Sequence, residues 1–93
     1  MCTMIVRKIA LDGSGKGLSG WFTVNQANVS YDHPFHIPHE HALNIDFVNE
    51  GLGLDARVAV ELSEHDAREL VKAILDVLEL ASDGGHLESS LRS

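Results

Sequence analysis

Hydrophobic and polar positions alternate in several short stretches of this 93-residue chain, then change to a helical spacing that runs to residue 81. Residues 3–11 (TMIVRKIAL) are rich in β-branched side chains and predict a first strand. A second strand is predicted from Trp21 to Tyr31, weakened by Asn25, Gln26 and Asn28. Residues 41–48 alternate cleanly: Leu43, Ile45 and Phe47 face one way, Asn44 and Asp46 the other. Residues 57–62 repeat the pattern, with Val58, Val60 and Leu62 inward and Arg57 and Glu61 outward. Between these stretches, Asp12 to Gly20 (DGSGKGLSG) reads as a flexible connection, residues 32–40 as a loop punctuated by Pro34 and Pro38, and residues 49–56 as a hairpin turn.

The helix has the fullest set of signals. Ser63 stands at the N-cap position, with Glu64 and Asp66 in the first turn near the positive end of the helix dipole. Ala67, Leu70, Val71, Ile74, Leu78 and Ala81 then form one apolar stripe, and Asp83-Gly84-Gly85 stops it. The prediction is an α+β domain over residues 1–83: a four-stranded antiparallel sheet with one C-terminal helix packed on it. Residues 84–93 read as a disordered tail. Leu75, Val77 and Leu80 widen the stripe beyond what one sheet contact requires, so a homodimer that uses the spare surface is expected, the alternative being a helix set deep in a curved sheet.

Composition narrows the function classes. Seven Lys and Arg against fourteen Asp and Glu give a net charge of −7, with +2 over residues 1–31 and −9 over residues 32–93. An acidic chain without a basic footprint is expected to bind neither nucleic acid nor an anionic membrane surface. No apolar run is long enough to span a bilayer, and the opening residues lack the basic-then-apolar order of a signal peptide. A single cysteine, Cys2, excludes an internal disulfide and points to a cytoplasmic protein.

The chemical anomaly is the segment Tyr-Asp-His-Pro-Phe-His-Ile-Pro-His-Glu-His at residues 31–41, which holds four of the six histidines: His33, His36, His39 and His41. Imidazole is the commonest side-chain metal ligand, so the pattern predicts a divalent transition-metal site, zinc before nickel, copper or iron. Run as polyproline II, His33, His36 and His39 would share a face but stand about 9 Å apart, too far for one ion unless the chain bends. His39 and His41 in an extended strand would point the same way, about 7 Å apart, and form the better pair. The expected set is therefore His39 and His41 with His33 or His36 folding back. Three imidazoles with an open position would acidify a metal-bound water for hydrolytic or lyase chemistry.

Other readings of the same residues stand beside this one. The rival reading is a structural loop in a non-enzymatic module that binds a small molecule or a protein, and a pH-sensing cluster is a third. Tyr31 and Phe35 would then line a small pocket. His39-x-His41-x4-Asp46 resembles the first cupin metal motif over eight residues, but the second motif is missing. Gly13-Ser14-Gly15-Lys16-Gly17 is followed by a strand, not the helix a phosphate loop needs. Ser63, His65 and Asp66 start a helix, and capping accounts for Ser63 and Asp66 without a hydrolytic triad.

Met1-Cys2-Thr3, Gly20-Trp21-Phe22, Tyr31-Asp32-His33-Pro34, His41 to Phe47 and Ala56 to Leu62 together resemble a small uncharacterised family of bacterial proteins, of actinobacterial type. The resemblance spans about residues 1–80 and implies no activity, cofactor or substrate.

Overall fold

The computed structural model describes residues 5–87. Thr3 and Met4 of the predicted first strand, Cys2, and residues 88–93 of the predicted tail lie outside this span. The chain runs β1 (Ile5–Gly17), β2 (Gly20–Asp32), β3 (Ala42–Val48), a 3-10 turn (Glu50–Leu52), β4 (Arg57–Leu62) and α1 (Glu64–Asp83). All four strands are antiparallel neighbours in the order β1-β2-β3-β4, an open meander, so the α+β prediction holds. Among the described residues no helix is long and apolar enough to cross a membrane.

The register places two opposite faces. Ile9, Ala27, Phe47 and Val58 form one cross-strand row, Arg7, Val29, Ile45 and Val60 the next, and Ile5, Tyr31, Leu43 and Leu62 the third. This face is turned toward α1. The other carries Lys8, Asn28 and Asp46 in one row and Ser30, Asn44 and Glu61 in the next. There Arg57 grips Asp46 through Nη2 at 2.8 Å and Nε at 3.1 Å.

Residues 12–17, expected as part of a flexible connection, are instead strand. A bulge sets Leu11 and Asp12 against Asn25, and pairing resumes at Gly13 opposite Val24. The glycines serve close approach: a Cβ at Gly15 would lie 3.0 Å from Val24 Cγ2 and 3.7 Å from Val58 Cγ2, and one at Gly17 would lie 3.2 Å from the Asp55 carbonyl. Only a glycine-lined strand lets the β1-β2 hairpin curl this near β4. The true turn is Leu18–Ser19, closed by Gly20 at φ 110°.

The helix ends follow their sequence signals. Ser63 Oγ accepts from the Asp66 N–H at 3.1 Å. At the far end Gly85 takes φ 73°, its N–H bonds the Ser82 carbonyl and the His86 N–H bonds the Ala81 carbonyl, a Schellman stop. The helix lies over the predicted face of the sheet, loosely seated. No residue of α1 is buried, and Leu70, Val71, Ile74 and Leu78 are about half exposed. The helix stands over the sheet without closing on it, and among the described residues the buried apolar ones are Val24, Ala27, Ala42, Val48 and Ala56.

Candidate functional site

The histidine loop, residues 33–41, joins β2 to β3 and is held from a distance. Pro34 and Pro38 remove two N–H groups and fix two φ angles, which keeps the loop out of the sheet. Three consecutive N–H groups, of Phe35, His36 and Ile37, donate to the Glu61 carboxylate at 2.5, 2.9 and 3.0 Å. Glu61 is on β4, more than twenty residues away in sequence. The Phe35 bond leads the effects that hold its carboxyl below the ordinary carboxylate range; desolvation opposes it, and the Ile37 and His36 N–H groups and the His36 charge add to it. The loop start is also pinned, with Asp32 Oδ1 accepting from the His33 N–H at 2.8 Å.

Of the four predicted ligands, the fold pairs His33 and His41. Their rings stack with centroids 5.0 Å apart and planes at 22°. His41 also stacks with Tyr31, at 5.8 Å and 17°. His33 Nδ1 lies 2.8 Å from the Glu40 carbonyl, which can only accept, so Nδ1 is the donor of this bond. His39 and His41 do not form the expected strand pair, because β3 begins at Ala42 and both lie in the loop. His36 and His39 are exposed. Among the described residues no three His, Cys, Asp or Glu side chains converge as a metal ion would need.

The Tyr31 end of this stack opens onto a larger feature. Between α1 and the sheet lies a groove of about 820 Å³. Val29, Tyr31, Ile45 and Phe47 are among its floor residues, and Leu70, Val71 and Ile74 line its helix side. Charged side chains enter its lining only at Glu64 and Arg68, which pair with each other at 2.6 Å. Phe35, expected to share a pocket with Tyr31, is 91% exposed and takes no part.

A family model, described as a family of unknown function (DUF6295), matches residues 1–87. The chain belongs to this family. No curated protein and no solved structure matches it. Membership covers the sheet, the histidine loop and the helix together, so loop and groove belong to one unit, and it assigns neither a role.

Sequence reasoning missed two residues of consequence. Glu61 read as an ordinary outward charge, and no local signal links it to the loop. Tyr31 was noted for a pocket with Phe35, but its partners are His41 and the groove.

Proposed function

We propose that this protein is a non-enzymatic binding module whose working surface is the apolar groove between α1 and the sheet. The observation that carries the reading is the groove itself, about 820 Å³ and lined almost wholly by hydrocarbon, beneath a helix whose apolar stripe is half exposed. Binding sites are characteristically concave and apolar with few polar groups, and an apolar surface of this extent is not left in water without use. The histidine loop is then a structural rim, tied down by Glu61. A chain with one cysteine suits the cytoplasm, where thiols stay reduced.

The test is Val71→Asp, which puts a charge on the groove's helix wall. Mass in solution and the fluorescence of an apolar probe are read together, with circular dichroism to confirm the fold. The expected result is a change in at least one of the two; if neither moves in a folded variant, the groove is not the working surface.

Transition-metal binding, zinc first, is the second reading, favoured by the His33–His41 pair. Two imidazoles are half a tetrahedral set. The remaining donors would come from His36, His39 or Glu40 through a loop rearrangement that strains the Glu61 contacts, or from another copy of the chain. A possible open coordination position, and any hydrolytic or lyase step, rests on that assembly.

A further inference from the structure

We propose that the occupant of the groove is a second copy of this chain, and that two chains lay the second halves of their α1 helices against each other's grooves across a two-fold axis. This rests on the groove being the working surface. The first support is area. A compact monomer of 10.1 kDa exposes about 5,300 Å². This chain exposes 7426 Å², an excess of about 2,100 Å² over that compact reference. The excess is counted over all 93 residues, and a standard interface takes about 800 Å² per partner. The radius of gyration agrees: 15.2 Å, where about 12 Å is expected of a compact chain of this length.

The second support is the lack of a core. Among the described residues no large side chain is fully buried, and the five buried apolar residues are three alanines and two valines. A sheet face rich in Ile, Val, Leu and Phe folds when something covers it, and the chain's own helix leaves it half open. The missing layer must be apolar and elongated. The half of α1 that runs past the groove is both: Leu78 and Ala81 continue the stripe of Ala67, Val71 and Ile74, but do not line the chain's own groove. An isologous pair needs one chain to carry both halves of a complementary contact, and this chain does.

Charge selects the orientation. After Lys72, α1 carries Asp76, Glu79 and Asp83 and no cation, while the first half mixes Glu64, Asp66 and Glu69 with the helix's two cations, Arg68 and Lys72, which pair with Glu64 and Glu69. An antiparallel helix pair sets the wholly acidic half of each against the mixed half of the other, where the two cations lie. A parallel pair would set acid against acid. Arg7, on the groove face at the free edge of the sheet, adds a cation for the partner's acidic half-helix.

The experiment is light scattering of the full native chain across a hundredfold concentration range, with the melting temperature followed over the same range. The expected mass is about 20 kDa, a closed two-fold pair of 10.1 kDa chains, with a melting temperature that rises with concentration. Leu78→Glu should weaken association roughly a hundredfold. Leu80→Glu, on the opposite face by helical spacing, should leave it unchanged. A native chain that stays near 10 kDa, or assembles beyond a dimer, overturns the proposal. If that monomer still binds the apolar probe and loses it in Val71→Asp, the groove reading survives without the second copy; if it binds none, both readings fall.

Discussion

Replacing Gly15 and Gly13 separately by alanine tests the account of the β1-β2 hairpin. Both positions belong to a segment that looks like a flexible connector, and in a connector each substitution would stabilise by about 0.4–1 kcal/mol through the unfolded chain's lost entropy. In the folded protein the two differ. A Cβ at Gly13 meets nothing within 4 Å, whereas one at Gly15 arrives 3.0 Å from Val24 Cγ2, with Phe22 Cζ and Val58 Cγ2 at 3.7 Å. Val24 is only 4% exposed and has little room to retreat. Overpacking of this kind costs about 1–3 kcal/mol. Because the unfolded-state gain is common to both variants, that cost is the expected gap between them. For a domain of this size it corresponds to a separation in melting temperature of at least about 4 °C. Thermal and urea unfolding at one fixed protein concentration measure it. Val24→Ala should remove most of the Gly15→Ala penalty, since it takes away the atom that the new methyl meets. Equal upward shifts for Gly13→Ala and Gly15→Ala would refute the close packing of Gly15 against Val24 of β2.

Other predictions concern the helix cap, the loop and the histidines. Ser63→Ala removes the acceptor for the Asp66 N–H and should cost about 1 kcal/mol, while Ser63→Asp should retain the cap; unfolding curves that match the native protein's for both would remove the cap from the account. Glu61 has a depressed carboxyl in the folded state, so its anchoring is fully present above the unfolded value of about 4.3 and is lost as pH falls through the lower folded value. The protection of the Phe35, His36 and Ile37 amides, measured against the intrinsic exchange rate at each pH, should therefore fall in acid, and at neutral pH in Glu61→Ala; persistent protection in that variant would contradict the anchor. Elemental analysis of tag-free protein separates the two readings of the histidines: about one ion per chain or per dimer, lost in His33→Ala/His41→Ala, establishes a metal site, and metal-free protein after a zinc soak leaves the stack a structural rim.

Sequence alone determined what depends on local backbone period. The two-residue repeat of Leu43, Ile45 and Phe47 put them on one sheet face, the Ser63 cap and Gly85 stop bounded α1, and the stripe from Ala67 to Ala81 gave that helix a direction. These signals are legible because each element's geometry fixes which neighbours along the chain share a face. Tertiary structure decided whatever joins distant segments. Glycine at 15 and 17 has the same sequence appearance whether it frees a loop or admits another strand, and only the curl toward β4 distinguishes the two. The histidine spacing suggested a chelating strand, but the hold of Glu61 on Phe35, His36 and Ile37 and the late start of β3 left His33 against His41. The excess apolar stripe was visible in the sequence, yet its meaning depended on the gap between α1 and the sheet, because surface becomes a site only where the rest of the fold leaves it uncovered.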